Sequence, residues 1–209
     1  MSNRLNVHYK ELLEKYGDGP EAAQWSSSET QEKRFEILTQ IADLNGSSIL
    51  DFGCGSGHLA TYLDSRKLQF SYTGVDIVEE FLEIARAKRP HSRFTTLESL
   101  EHETFDYVFI SGVFNNKRRD NRKFYQKSLR KLFGMCSKGL AFNMMSTYVD
   151  YRDPGLFYEA PERAFQFVKK ELTPFVQLRH DYEVKPGVVP FEFAIYAFRM
   201  PPVDSGHAR

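Results

Sequence analysis

The stretch Ile49-Leu50-Asp51-Phe52-Gly53-Cys54-Gly55-Ser56-Gly57-His58 constrains this chain more than any other. A strand-like apolar run meets three alternate glycines and then a helical pattern. The backbone can therefore turn sharply and approach a ligand closely where a side chain would collide. Nineteen residues beyond Gly57, Tyr72-Thr73-Gly74-Val75-Asp76 supplies a second strand that ends in a carboxylate. In nucleotide-binding sheets an acid at that place accepts hydrogen bonds from the two ribose hydroxyls.

The chain alternates in the same way around this loop. Strands are expected at Ser48–Asp51, Tyr72–Asp76, Arg93–Thr96, Asp106–Ser111 and Gly139–Met144, with helices near His58–Ser65, at Val78–Arg89 before Pro90, and at Asn121–Cys136. Continuous apolar strands separated by helices call for a parallel sheet covered on both faces, an α/β doubly wound fold. Helix Pro161–Lys170 then precedes strands Phe175–Asp181 and Phe191–Arg199. No helix separates those two, so they should pair as an antiparallel hairpin at the sheet edge, which makes a mostly parallel, seven-stranded sheet. Upstream, Leu5, Tyr9, Leu12, Leu13 and Tyr16 share one helical face that Gly17-Asp18-Gly19-Pro20 ends. Ser28 and Gln31 read as a capping box for a second helix carrying Phe35, Leu38, Ile41 and Ala42. The expected organisation is an N-terminal helical lid over residues 1–45, a ligand-binding domain over 46–200 and a disordered tail over 201–209.

Composition narrows the partners. The 209 residues hold one α/β domain and leave no room for a second large one. Lys plus Arg number 28 and so do Asp plus Glu, and this balance removes the long-range field of a general polyanion binder. A nucleic-acid partner is not expected. Neither is a membrane, because no apolar run approaches the roughly eighteen residues a spanning helix needs. The opening MSNRLNVHYK lacks the apolar segment of a signal peptide, and Cys54 and Cys136 form no CxxC pair, so a reducing cytoplasm is the expected location. Against this neutral background, Lys117-Arg118-Arg119-Asp120-Asn121-Arg122-Lys123 stands out. Such a run is commonly a solvated loop, yet it opens a helix, where positive charge opposes the helix dipole. It could select an anionic acceptor.

Two ligands fit the loop, since Gly55-Ser56-Gly57-His58-Leu59-Ala60 also satisfies the GxGxxA form of the dinucleotide fingerprint. Asp51 separates them: an acid two residues before the first glycine suits a ligand with a cationic amino group, whereas a pyrophosphate would be repelled. The terminal antiparallel hairpin also disfavours a dehydrogenase sheet.

The D-x-G-x-G-x-G of Asp51, Gly53, Gly55 and Gly57, the acid Asp76, the segment FDYVFISGVFN from Phe105 to Asn115 and the closing hairpin strand resemble the class I S-adenosylmethionine-dependent methyltransferases. The resemblance spans about residues 30–200. The segments HYKELLEKYGDGPEAAQWSSSETQEKRF and AFNMMSTYVDYRD look like those of a group of small bacterial methyltransferases without a defined substrate. The resemblance implies a Rossmann-like methyltransferase fold with S-adenosyl-L-methionine as cofactor. Gly53, Gly55 and Gly57 would face its methionine part, with Asp51 near the amino group. Asp76 would hold the ribose, Ile77 would pack on the adenine, and Glu98 and Ser99 would meet the adenine edge, although the usual Gly-Asp or Asp-Ala pair is missing there. Ser111, Gly112 and Val113 would lie beside the sulfonium. Extra N-terminal helices in this fold pack above the cofactor, which brings Trp25, Gln31 and Arg34 into reach, Arg34 as a partner for the cofactor's carboxylate.

The expected reaction is in-line methyl transfer to an oxygen or nitrogen of a small-molecule acceptor. His8, Tyr9, Asn115 and Tyr148 are the candidate catalytic residues, with Tyr16, Asn143, Tyr151 and His180 as further groups. The long segment after Met144, containing Asp153-Pro154-Gly155, should form a substrate wall. The histidines show no metal-ligand spacing, and Asn115 and Asn116 stand where a metal-dependent O-methyltransferase would need a carboxylate, so no metal is expected. No Asn-Pro-Pro-Tyr sequence follows the fourth strand, which argues against transfer to a base amine in DNA. The alternatives are an RNA or protein methyltransferase, a non-catalytic S-adenosylmethionine-binding protein, and an NAD-dependent oxidoreductase.

Overall fold

A computed structural model describes residues 2–17, 19 and 27–202, with backbone alone for residues 2–6 and 8. Helix α1 (Ser2–Tyr16) and helix α2 (Ser28–Thr39) precede the sheet. Then follow β1 (Ser47–Phe52), α3 (His58–Ser65), β2 (Phe70–Val75), α4 (Glu79–Lys88), β3 (Arg93–Thr95), a single 3-10 turn at Leu97–Leu100, and β4 (Phe105–Ile110). The chain continues through α5 (Asn121–Gly134), β5 (Cys136–Ser146), β6 (Tyr158–Glu159), α6 (Pro161–Glu171), β7 (Phe175–Arg179) and β8 (Glu192–Phe198).

The main strand order is β3-β2-β1-β4-β5-β8-β7, and the two-residue β6 pairs with the end of β5. All pairings are parallel except those of β8 with β5 and β7. The C-terminal hairpin is present as expected, with β7 at the edge and β8 inserted beside β5. From β1 the chain first steps outward to β2 and β3, then returns to lay β4 on the other side of β1. Such a reversal opens a crevice at the carboxyl ends of the central strands.

Alternating side chains account for the unbroken apolar character of those strands. Ile49, Tyr107 and Phe109 join a core with Phe35 and Leu38 of α2 and Leu59 and Leu63 of α3. Their neighbours Leu50, Val108 and Ile110 join a second core with Tyr125 and Leu129 of α5 and Phe167 of α6 on the opposite face.

Four local expectations change. The cap of α2 is Ser27, extended at φ −170°, whose hydroxyl accepts from the Thr30 N–H at 3.3 Å, so the Ser28/Gln31 box does not form. Helix α5 stops at Gly134, and Cys136 opens β5 by pairing with Phe105. Its thiol is buried in the sheet. The expected 1–45 lid divides: α2 is part of a core layer, while α1 docks on α4 through Tyr9 and Leu13 against Val78 and Phe81, with Lys10 Nζ 2.5 Å from Glu80. The expected tail falls almost wholly outside the described residues. Among the described residues no helix is long and apolar enough to cross a membrane.

Candidate active site

The loop after β1 is stitched to the end of β2 by the backbone. The N–H groups of Gly53 and Cys54 both donate to the Val75 carbonyl, at 2.8 and 3.1 Å. The Gly55 N–H donates to Asp76 Oδ2 at 2.9 Å, and the Val78 N–H donates to Asp76 Oδ1 at 3.0 Å. Gly53 has φ +80°, and a Cβ there would lie 2.4 Å from Val113 Cγ2, so only glycine fits. Gly57 departs from the expectation: it caps α3 and turns toward Phe94, whose ring would lie 3.1 Å from an added Cβ. Only Gly53 and Gly55 of the triplet line the cavity.

Asp51 is nearly fully buried, and the Tyr72 hydroxyl donates to its Oδ2 at 2.6 Å. Burial pushes the Asp51 carboxyl up to about 7; the Tyr72 hydrogen bond opposes this and the charge of Asp76 adds to it. Burial also raises Asp76, against the N–H groups of Val78, Gly55 and Ile77. Two carboxylates thus face one cavity in a setting that penalises their charge, the arrangement that a cationic ligand relieves.

That cavity has a volume of about 900 Å³. Along the strand order its lining runs from Thr96, Leu97 and Glu98 after β3, through Asp76 and Ile77, to Asp51–Ser56 and then Ser111–Val113 after β4. Ile77 is 51% exposed, an apolar side chain presented to the opening. Ser99 is not brought in: its hydroxyl is held within the 3-10 turn by Thr95 Oγ1 and the Thr96 carbonyl. The Ser111 hydroxyl is buried without a hydrogen-bond partner.

Gln31 and Arg34 of α2 also line the cavity, but Arg34 is already engaged. Its Nε donates to Glu192 Oε2 at 2.9 Å and its NH1 to the Thr30 carbonyl at 2.8 Å. Asn143 Nδ2 donates to the other Glu192 oxygen at 3.1 Å, and Asn143 Oδ1 accepts from the Gly112 N–H at 2.8 Å. A buried polar relay therefore links α2, β8 and β5 to the loop after β4. Burial pushes the Glu192 carboxyl up, against the pull of Arg34 and Asn143. Arg34 thus anchors this relay from the wall of the cavity.

Beyond β4, Asn115, Asn116, Arg118, Phe124 and Leu156 line the cavity together with Tyr9 from α1. Asn116 Nδ2 donates to the Tyr9 hydroxyl at 2.7 Å, fastening α1 to the loop. Burial and the Asp76 charge push the Tyr9 phenol up to about 12, so it stays protonated at neutral pH. Asn115 is 9% exposed, with Oδ1 buried and unpartnered. Tyr148 is corrected: it is 61% exposed, its hydroxyl lies 3.4 Å from Glu162, and neither it nor Tyr151 lines the cavity. Of the long segment after β5, Leu156 alone among the described lining residues forms a wall. Trp25 and the His8 side chain lie outside the described residues.

A family model described as a methyltransferase domain matches residues 49–133. Rv1506c of Mycobacterium tuberculosis, which carries the name of a methyltransferase, is 32% identical over 145 residues, covering 65% of this chain and 86% of that one. The chain belongs to the class I S-adenosylmethionine-dependent methyltransferases. Solved methyltransferases share the fold. The plantazolicin methyltransferase BamL, in complex with a triazolic desmethylPZN analog and SAH, superposes with TM-score 0.64 at 14% identity over 94% of this chain and 96% of that one. Magnesium protoporphyrin IX methyltransferase from Synechocystis PCC 6803 with bound SAH gives 0.62 at 13% identity over 82% and 84%.

Membership sets aside the NAD-dependent reading of the GxGxxA match. The residues of this methyltransferase fit its cofactor: two desolvated acids await a cation, the Ser111 hydroxyl lacks a partner, and a Cβ at Gly55 would meet nothing within 4 Å. Sequence reasoning missed Phe52, Phe81, Phe124 and Lys127 as lining residues. Periodicity does not single out such aromatics, because it reports burial without saying whether the burying neighbour is protein or ligand.

Proposed function

We propose that this methyltransferase acts on an oxygen or nitrogen of a small-molecule acceptor, with the cofactor along the ends of β1–β3 and the acceptor beneath α1 at Asn115 and Tyr9. One observation carries the reading. A single cavity of about 900 Å³ joins the acid-bearing strand ends to the segment after β4 that carries Asn115 and Asn116. This is near the upper end of ordinary small-ligand sites, which run to about 1,000 Å³, and leaves room for two small molecules.

When bound, S-adenosylmethionine supplies an electrophilic methyl group on a sulfonium that departs as a neutral thioether. Asp51 sets its negative charge toward the cofactor's amino group. Asp76 accepts from the ribose hydroxyls with lone pairs left beyond its bonds to Gly55 and Val78. Ile77, Leu97 and Glu98 flank the adenine, while Gly53, Gly55, Gln31 and Ser111 meet the methionine end. Gly112 and Val113 fix the floor, Gly112 through Asn143 and Val113 by packing on Gly53. Asn115 Oδ1 accepts the O–H or N–H of the acceptor and so aims its lone pair, the protonated Tyr9 orients the acceptor without removing a proton, and the proton displaced by the methyl group passes to water. Holding the reacting atoms aligned and dry is the main contribution, since such positioning accounts for about 7–11 kcal/mol in well-oriented reactions.

The test is calorimetric binding of SAH together with labelled-methyl transfer to a fractionated cell extract. Wild type should bind SAH and label the small-molecule fraction, and Asp76→Ala should weaken SAH binding at least tenfold. Unchanged SAH affinity in Asp76→Ala, or label confined to the RNA or protein fraction, would overturn the reading.

A further inference from the structure

The basic run at 117–123 does not act as one patch. Arg122 pairs with the buried Glu159 at 2.7 Å, Lys117 Nζ donates to the Pro154 carbonyl at 3.2 Å, and the Lys123 backbone is capped by Asp120. Only Arg118 of the run lines the cavity. Its guanidinium carbon sits 3.9 Å from the centroid of the Phe124 ring, which fixes the plane of the group, and its Nε is buried with no hydrogen-bond partner. The same face of the cavity carries Lys127 and Lys131, one helical turn apart on α5. The carboxylates Asp51, Asp76 and Glu98 lie at or just beyond the ends of β1, β2 and β3, so the lining divides by charge along the sheet.

A half-buried guanidinium with an unsatisfied donor is costly to keep unless something negative meets it. Among the described residues no carboxylate pairs with Arg118, and burial lowers its affinity for its proton. Resting on the proposed function above, we infer that the acceptor is a carboxylic acid whose carboxylate pairs with the Arg118 guanidinium while its apolar body lies against Phe124 and Leu156. Asn115 Oδ1, an unpartnered acceptor three residues away, then receives the hydroxyl or amine to be methylated, so one ligand satisfies a donor and an acceptor that the protein leaves open. The planar guanidinium edge matches a carboxylate in a two-point contact that an ammonium does not reproduce.

The experiment uses the full chain saturated with SAH. It is titrated with hydroxy- and amino-substituted aryl and C6–C10 aliphatic carboxylic acids, the amide of each and the corresponding phosphate monoesters. Binding is read by ligand-observed NMR and calorimetry. Acids should bind at least tenfold tighter than their amides; Arg118→Gln should reduce that preference to under threefold, Arg118→Lys should restore part of it, and SAH affinity should stay within twofold throughout. Equal binding of acids and amides, failure of every acid to bind, a preference for phosphate monoesters, or an acid preference that survives Arg118→Gln would each overturn the inference. Loss of SAH binding by wild type would instead overturn the proposed function, so the two failures are distinguishable.

Discussion

The Tyr72 hydroxyl donates to Asp51 Oδ2 at 2.6 Å, between two side chains whose strands run side by side. The bond holds a carboxyl that burial has pushed up to about 7 and steadies its ionised form. Because the cofactor's ammonium favours ionised Asp51, SAH affinity should fall as pH drops through 7, by up to about tenfold per pH unit, with a proton released on binding near neutrality. Calorimetry from pH 5.5 to 8.5 in buffers of different ionisation enthalpy reads both effects. Asp51→Asn should bind weakly with no such dependence.

The same group predicts the opposite trend in stability without ligand. Its folded value of about 7 exceeds the ordinary 3.8, so between these values the folded chain holds a proton that the unfolded chain has lost. Stability contributed by Asp51 should therefore rise as pH falls from 8 toward 5. Urea unfolding of wild type and Asp51→Asn across that range isolates this contribution, and parallel curves for the two would contradict it.

Removing one partner of the Arg34–Glu192 pair leaves a charge stranded in the core. Arg34→Ala should cost about 3–5 kcal/mol in urea unfolding, and Glu192→Gln added to it should recover part of the loss by removing that charge. An additive double variant would show that the two side chains act separately.

Gly53→Ala adds a methyl group to a left-handed residue against Val113. The conformation costs roughly 1–2 kcal/mol and the overpacking roughly 1–3 kcal/mol. Val113→Ala should remove the second part alone, so the double variant should regain stability but remain below wild type.

The two tyrosines that flank the acceptor region in the sequence reading should behave differently. With an acceptor found by methyl-transfer screening, Tyr9→Phe should raise KM about two- to tenfold, the range for one lost hydrogen bond of about 0.5–1.5 kcal/mol. Tyr148→Phe should leave kcat/KM within twofold, because its hydroxyl faces Glu162.

Sheet, loop and acid were legible because each follows from local chemistry: alternate glycines demand a tight turn, and an acid closing a strand must meet solvent or a ligand. What was not legible depends on residues far apart in sequence. Nothing local announces that Arg34 meets Glu192, 158 residues away. Tyr148 follows a strand end, where sites gather, but β5 runs on to Ser146 and the tyrosine beyond it is exposed. Gly57 matched its motif yet faces Phe94, since a spacing pattern does not say on which side of a loop a residue lies. Ser99 fits a familiar position but is consumed by a 3-10 turn.

Strand β8 follows every other described element in sequence yet lies inside the sheet, and it carries the Glu192 that ties Arg34 to Asn143 and so to Gly112. A chain emerging from the ribosome can therefore form the glycine loop and display both acids while the wall beside Gly112 is still missing. Long-range pairings of this kind form slowly. Maturation of the pocket should then lag behind collapse of the sheet's first half, and a bound ligand would act as a wedge that selects the finished chain over its unfinished predecessor.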